Sequence, residues 1–325
     1  MSRPLLITAV ALASYAALNL VASLAVALLW RSGALAWPPS PAVRARRLAW
    51  LRAVPALAAG ILTALIAVPA FVRFEPYHES EPVGPALVAL ALAALAQLAA
   101  SAWLAAATTI RTRTVARHWL RASEPLHVNP PAGVPAYTID SPAPVVALVG
   151  VFAPTLVAAR SVVATCSTDE LVRIVAHERG HVQAHDNLKR WLMHCAPDAL
   201  RWTPVHGEMA AAWHDAAEDA ADDVATGGDA GARMDLAALL LKMARLTSPP
   251  SWPAATVSPF VERDGLERRV RRLLSANDST GGRFSALGLA SAAAAGLVMV
   301  AVAAADPATL ERVYGVVEAL VVFAR

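Results

Sequence analysis

Four apolar runs in this sequence are each long enough to cross a lipid bilayer as a helix. About 20 apolar residues suffice, because the hydrocarbon layer is about 30 Å thick and a helix rises about 1.5 Å per residue. The runs are Leu5–Trp30, Val54–Val72, Pro85–Ile110 and Phe284–Ala304. The first is too long for the apolar part of a cleaved signal peptide. We therefore predict a mainly α-helical membrane protein with four transmembrane helices, which makes the lipid bilayer its first partner.

The arginines cluster beside alternate ends of these runs. Five lie in 31–52, four in 111–121 and six in 263–283, whereas 73–84 carries one arginine and three glutamates. Arginine-rich flanks stay on the cytoplasmic side of a membrane. The pattern therefore predicts an N-terminus outside and the segment after the third run inside. With a net charge of only +3, the arginines indicate membrane topology and not nucleic-acid binding.

This orientation predicts four parts along the chain. They are a three-helix transmembrane region (1–110), a cytoplasmic domain (111–283), a fourth transmembrane helix (284–304) and a short extracytoplasmic tail (305–325) that is amphipathic and lies on the interface or against the spans. Asn19 and Gln97 are polar residues within spans, and we expect them to join helices by hydrogen bonds. Cys166 and Cys195 match no disulfide framework or zinc knuckle, so we expect two reduced, buried thiols.

The cytoplasmic segment predicts an α+β domain. Residues 137–166 are rich in β-branched residues and interrupted by prolines, which favours two or three strands over a membrane span. Next, Ser167-Thr168-Asp169-Glu170 matches a capping box, which marks the start of a helix. The apolar residues of that helix fall on one stripe, and its other faces are too polar for lipid.

The same helix carries the motif HERGH, from His177 to His181. Histidines four residues apart share one helical face, so both imidazoles can bind one zinc ion. Glu178 is offset around the helix and can act as general base on water at the open metal position without ligating the metal. The motif fixes only three positions, so it is a moderately specific sign of a metal site. A surface helix rich in His and Glu would show the same three residues.

A third ligand distinguishes the classes of zinc site. A metzincin needs Gly and His where this chain has Ala184 and Asn187, whereas a gluzincin needs a glutamate from a later helix. The segment WHDAAEDAADDVA supplies Glu218, and Asp222 one turn later could hold the distal nitrogen of a ligand histidine. Alanines at 216, 217, 220 and 221 would let the two helices approach closely.

Other residues compete for roles at this site. Four other residues are rivals for the third ligand position, namely His185, His206, His214 and Asp215. His185 is the weakest candidate, because it lies on the same helix as His181 and its ring would point away from a tetrahedral site. His206, His214 or Arg233 could instead stabilise the oxyanion of a tetrahedral intermediate. Solvated or hydrogen-bonded side chains are the plainer interpretation of each of these residues taken singly.

Several features together resemble the M56 family of membrane peptidases, which includes the BlaR/MecR transducers. They are HERGH followed by HVQAHD, a Trp- and Pro-containing link, the pair Glu218–Asp222, and LERRVRRLL before the last span. The resemblance covers nearly the whole chain. It implies a gluzincin-type peptidase with one Zn²⁺ held by His177, His181 and Glu218, with Glu178 as catalytic base and acid and with Asp222 behind a ligand. It also implies a bacterial-type inner membrane as the location of the protein.

After Ala304 only 21 residues remain (325 − 304), so we expect no extracellular sensor domain. Arg179, directly after the catalytic glutamate, is a second departure from the family pattern. An arginine that points to solvent is harmless, whereas one that points inward would lower the pKa of that glutamate.

The implied function is zinc-dependent endoproteolysis of a protein substrate at the cytoplasmic face in regulatory signalling. The substrate is a repressor protein or the chain itself, held extended against a strand of 145–163. Two alternatives remain open. One is membrane-protein quality control resembling the M48 peptidases, which place further spans between HExxH and the glutamate. The other is an inactive zinc-binding scaffold, whose metal site would be closed by His206 or His214.

Overall fold

The structure is a computed structural model that describes residues 2–35, 40–75, 84–126, 133–246, 257–259, 265–275 and 306–322. Its N-terminal elements are α1 (Arg3–Arg31), α2 (Pro41–Leu62), a π-helical turn (Thr63–Ala67), α3 (Val68–Phe74) and α4 (Pro85–Leu120). A sheet region follows with β1 (Glu124–Pro125), β2 (Ala136–Ile139), β3 (Val146–Val149) and β4 (Thr155–Ala159). The next elements are α5 (Arg160–Thr165), α6 (Thr168–Ala184), α7 (Asp186–Cys195), a 3₁₀ turn (Ala199–Trp202), α8 (Pro204–Thr226) and α9 (Ala230–Leu246). The last described elements are β5 (Val257–Pro259), α10 (Leu266–Leu274) and α11 (Pro307–Val322).

Three helical stretches in the described part of the chain are long and apolar enough to cross a membrane. They are Arg3–Arg31, Pro41–Phe74 and Pro85–Leu120, and they contain the first three predicted runs. The predicted fourth span, Phe284–Ala304, lies outside the described residues. The described part of the protein is thus mostly helical, with three candidate membrane spans and a small mixed sheet.

Two of these helices extend well beyond the apolar runs. Helix α4 continues past Ile110 to Leu120, and α2 begins at Pro41, so most of the arginines expected in a loop between the first two spans lie on a helix instead. Apolar windows miss such extensions because charged side chains end a span but do not end a helix. Proline at the first helical position of α2 also favours this start, since its missing N–H would have no helical partner there.

Acidic residues of the α7–α8 region pair with the arginines of α1 and α2. Arg31 lies 2.9 Å from Glu208, Arg44 lies 3.0 Å from Asp219, and Arg52 forms a buried ion pair with Asp198. These contacts place α8 at the arginine-rich end of the first two helices.

The polar residues of the spans join helices, as expected. Gln97 of α4 donates a hydrogen bond to Asn19 of α1 at 3.3 Å. Asn19 also donates to the carbonyl of Pro197 and accepts from the backbone N–H of Ala199. The turn between α7 and α8 is therefore tied to the middle of α1. Cys166 and Cys195 are free and buried, which confirms their prediction as thiols.

In the residues that the structure describes, the sheet has five strands in the order β1-β2-β4-β3-β5. β2 and β4 are parallel, whereas the other neighbours are antiparallel. The three strands β2, β3 and β4 confirm the two or three strands predicted within 137–166, but the end of that stretch forms helix α5 instead. All four residues of β3 are buried in one core that also contains apolar residues of α6 and α9. This core fixes α6 against the sheet.

Helix α11 packs beside α3. The Tyr314 hydroxyl lies 3.0 Å from a carboxylate oxygen of Glu75 and donates to it, and the Phe74 and Tyr314 rings are 5.9 Å apart. Val317 is buried in the same cluster as Phe71. The tail thus contacts a candidate span at the end that carries the acidic segment.

Small residues allow α6 and α8 to approach closely. Ala216, Ala217 and Ala221 are buried, and an ideal Cβ built on Gly180 would lie 2.9 Å from the Ala221 Cα. No side chain larger than hydrogen fits at position 180 without moving the backbone of α8.

Gly180→Ala should therefore lower the melting temperature of the detergent-solubilised protein. Overpacking of this kind costs about 1–3 kcal/mol, and it opposes the helix-propensity gain of about 1 kcal/mol. Gly207→Ala is the matched control, because a Cβ at Gly207 of α8 would meet nothing within 4 Å. That variant should be neutral or slightly more stable, and equal melting temperatures for both variants would contradict the close packing.

Candidate metal centre

Helix α6 carries the HERGH motif, and its N-terminus is capped by side-chain hydrogen bonds. The Ser167 hydroxyl accepts from the Glu170 N–H at 3.2 Å, and the Glu170 carboxylate accepts from the Ser167 N–H at 2.7 Å. The predicted capping box is thus present. The helix ends at Ala184 because His185 has a left-handed backbone with φ 56°, which redirects the chain into α7. His185 is exposed and lies beyond this end, away from a ligand position.

The side chains of His177, His181 and Glu218 meet in the protein interior. The two histidine Nε2 atoms are 3.2 Å apart. One Glu218 carboxylate oxygen lies 3.4 Å from His181 Nε2, and the other lies 3.5 Å from His177 Nε2. One potential ligand atom from each residue lies within 4.8 Å of the others, and all three residues are buried. The structure thus brings together the three residues predicted as ligands.

The chemistry of this cluster suits a divalent metal ion. Two buried imidazole nitrogens that face each other at 3.2 Å compete for any proton between them, whereas a cation can accept both lone pairs. The set of two nitrogen atoms and one carboxylate oxygen is the donor set of a zinc peptidase with one coordination position open. The residues present therefore fit a bound metal.

A carboxylate lies behind each histidine. His177 Nδ1 is 3.0 Å from Asp222 Oδ1, and His181 Nδ1 is 2.9 Å from Asp186 Oδ2. Such partners fix the ring tautomer and leave Nε2 free for a metal. Asp222 was expected in this position, but Asp186 was not. Sequence reasoning missed it because only the left-handed turn at His185 brings Asp186 back to the helix that carries His181.

Arg269 of α10 is a second residue that sequence reasoning missed. Its guanidinium donates to both oxygens of Asp222, at 3.0 and 2.6 Å, and its Nη1 lies 2.8 Å from Glu218 Oε2. The sequence interpretation used LERRVRRLL as a topology signal and as part of the family resemblance, and it gave Arg269 no role at the site. A better signal was available, because Arg269 follows Leu266 by three residues and precedes Leu273 by four, which puts it on the apolar face of the helix.

Glu178 is buried beside the cluster, and in the described part of the chain neither of its carboxylate oxygens has a hydrogen-bond partner. Burial raises the pKa of Glu178, partly offset by His181 and His177. A raised pKa suits a carboxylate that must take up and release a proton near neutral pH. Arg179 is exposed, so its cation lies on the solvent side of α6.

The structure separates the remaining candidates. His214 Nδ1 lies 3.9 Å from Glu218 Oε1. His206 accepts a hydrogen bond from Arg52 at 3.2 Å, and it precedes Glu218 by twelve residues of α8, or about 18 Å of helix. Asp215 pairs with Arg268 at 3.1 Å. Arg233 lies in the first turn of α9, and no contact in the described residues joins it to the cluster. Only His214 therefore stays near the ligands.

The electrostatics of the metal-free cluster favour protonated histidines. Burial lowers the pKa of His181, but the Glu218 carboxylate and Asp186 outweigh it and raise that pKa to about 10. Burial opposes the charged form of Asp222, yet Arg269 and His177 lower its pKa to about 2. Arg269 and His181 likewise hold the pKa of Glu218 well below its usual range. The carboxylates thus stay ionised while His181 keeps its proton below about pH 10.

Zinc affinity should consequently rise with pH across the neutral range. A metal ion must displace the His181 proton, so below the raised pKa the dissociation constant should change about tenfold per pH unit for each proton released. We expect the apparent affinity at pH 6 to be about 100-fold or more below that at pH 8. Competition with a chelator at several pH values measures this, and a flat profile over that range would contradict the raised pKa of His181.

A comparison with protein families finds a match. The family model described as "BlaR1 peptidase M56" matches residues 80–273, which include α6, α8 and all but the last residue of α10. No curated protein and no solved structure matches the chain. The match covers more than half of the chain and all three residues of the metal-ligand cluster. The chain therefore belongs to the M56 peptidase family.

Proposed function

We propose that the protein is an integral-membrane zinc endopeptidase that cleaves a protein substrate at the cytoplasmic face of the membrane, in regulatory signalling. The observation that carries this proposal is the meeting of His177, His181 and Glu218 beside the buried carboxylate of Glu178. In this assignment the first three residues bind the metal, and Glu178 transfers protons. Asp222 and Asp186 orient the two histidines.

The protein residues divide the chemistry between them. A bound zinc ion supplies a Lewis acid that acidifies water and polarises a peptide carbonyl. Glu178 is the residue after His177 on α6. Its carboxylate accepts the proton of the attacking water and then passes it to the departing amine. The absence of hydrogen-bond partners in the described residues leaves its carboxylate free for both transfers. His214 is the candidate oxyanion stabiliser that remains near the cluster.

The ion pairs at α8 support the proposed sidedness. Arg31, Arg44 and Arg52, which belong to the segment predicted as cytoplasmic, contact Glu208, Asp219 and Asp198. Glu208 and Asp219 share helix α8 with Glu218. The arginine-rich flank and the ligand cluster therefore lie at the same end of the candidate spans, as the division into transmembrane and peptidase parts requires.

The pairing of β3, which lies near the cluster, supports strand addition as the mode of substrate binding. Leu148 of β3 and His181 line one cavity of about 100 Å³. Residues 257–259 of the same chain pair with β3 in antiparallel register. β3 thus accepts an extended segment on the side away from β4, and because β5 of the same chain is that segment here, the pairing favours self-cleavage among the candidate substrates.

The alternatives have less support. An inactive scaffold with a closed metal site needs a fourth protein ligand, but the metal-ligand cluster in the described residues has three members. An M48-like arrangement needs spans between His181 and Glu218, whereas the three candidate spans of the described residues all end before residue 121.

Comparing the proteomes of cells that carry wild-type or Glu178→Gln protein tests the function. We expect at least one protein fragment, from a repressor, a membrane protein or the chain itself, that is present with the wild type and lost with the variant. Zinc content should be the same for both proteins. Identical fragment sets from two equally expressed proteins would refute the proposal.

A further inference from the structure

We propose that Arg269 is a positioning residue of the metal centre, holding Glu218 and Asp222 in the arrangement that binds zinc. This inference rests on the proposed function. It assigns a role in metal binding to α10, a helix that contributes none of the three ligands.

One guanidinium contacts both carboxylates on α8. Two of its nitrogens bind the two oxygens of Asp222, and the third lies 2.8 Å from Glu218 Oε2. Asp222 in turn lies 3.0 Å from His177 Nδ1. Arg269 therefore fixes one predicted ligand directly and a second ligand through Asp222.

The geometry requires an arginine and not merely a positive charge. Arg269 is only 3% exposed, so its burial is costly unless every contact is well made. A planar fork can engage Asp222 with two parallel hydrogen bonds and still present a third nitrogen to Glu218. Lysine has a single nitrogen at the end of its chain and cannot reproduce this three-point contact.

The neighbouring arginines of α10 have a different task. Arg268 pairs with Asp215 and Asp219, and Arg272 pairs with Asp223. Apart from buried Asp219, the side chains in these contacts are more exposed than Arg269, and none of them belongs to the metal-ligand cluster. They dock α10 on α8, whereas buried Leu273 belongs to the core that also contains apolar residues of α9. Arg271 is largely exposed and pairs with Glu267 on its own helix.

The experiment compares four variants of the full-length protein in detergent, namely Arg269→Gln, Arg269→Lys, Arg272→Gln and Arg271→Gln. Chelator competition gives the zinc dissociation constant, and the absorption spectrum of the Co²⁺ form reports ligand geometry. Thermal unfolding of the metal-free proteins shows whether each variant folds. None of these readouts depends on peptide cleavage.

We expect both Arg269 variants to weaken zinc binding about 10- to 100-fold, the range typical of residues that orient metal ligands. Their Co²⁺ spectra should shift, whereas the Arg271 and Arg272 variants should match the wild type. Should Arg269→Gln fail to fold, Arg269→Lys carries the test, because it keeps a cation beside the two carboxylates.

Two results would overturn the inference. Wild-type zinc affinity in Arg269→Lys would show that charge alone suffices. Equal weakening by Arg272→Gln and Arg269→Gln would show that only the docking of α10 matters. A wild-type protein that binds zinc at three ligands but cleaves nothing would instead sink the proposed function and leave the role of Arg269 standing.

Discussion

Glu178→Gln is expected to lower the rate of peptide cleavage by about 100- to 10,000-fold, the contribution usual for a positioned general acid–base. The amide has the shape of the carboxylate but cannot accept the proton of the attacking water. Zinc binding should not change, since Glu178 is not among the clustered ligands. Cleavage of a substrate found in the proteome comparison, measured at saturating zinc, gives the rate.

Arg179→Gln is the matched control for this change. Arg179 is the next residue of α6, but it is exposed, so its loss should leave the rate close to that of the wild type. A Glu178→Gln protein that cleaves at the wild-type rate would remove Glu178 from the mechanism. A rate loss accompanied by zinc loss would assign Glu178 to metal binding instead.

Glu218→Gln is expected to weaken zinc binding by more than about 100-fold, which exceeds the usual effect of losing an outer partner of a ligand. The change removes the only carboxylate of the three-residue cluster and leaves the buried guanidinium of Arg269 with one charged partner fewer. Peptidase activity should fall below detection at micromolar zinc. Zinc titration with a chelator competitor measures the first effect, and a cleavage assay measures the second.

Asp219→Asn controls for the loss of a buried charge at the next position of α8. Asp219 is buried and pairs with Arg44 and Arg268, yet it lies outside the ligand cluster. We expect this variant to be less stable than the wild type but to bind zinc normally. Equal zinc affinities for Glu218→Gln and the wild type would remove Glu218 from the ligand set.

The features that were predictable from sequence are those set by local periodicity. The capping box at Ser167 and the i, i+4 histidines depend only on residues within one helix, and the structure contains both. The three strands of 137–166 are short β-branched segments separated by prolines, which is also a local pattern. Glu218 could be named because a gluzincin-type site needs a glutamate on a later helix, and the small residues around Glu218 let that helix approach α6 closely.

The features that sequence analysis missed depend on long-range contacts. Arg269 acts across 47 positions of the chain, and its charge looked like one of several topology arginines. Asp186 depends on a left-handed histidine, a conformation that sequence rules assign mainly to glycine and asparagine. The early start of α2 was missed because apolar windows count Arg44 and Arg52 as exposed charges, whereas acidic groups of the α7–α8 region neutralise them.

X-ray absorption at the zinc edge of the purified full-length protein tests the central claim most directly. We predict one zinc ion per chain with only nitrogen and oxygen neighbours at about 2.0–2.2 Å, two of them with imidazole scattering. The signal should disappear in a His177→Ala, His181→Ala double variant. A sulfur shell at about 2.3 Å, or zinc retained in full by that variant, would contradict the account.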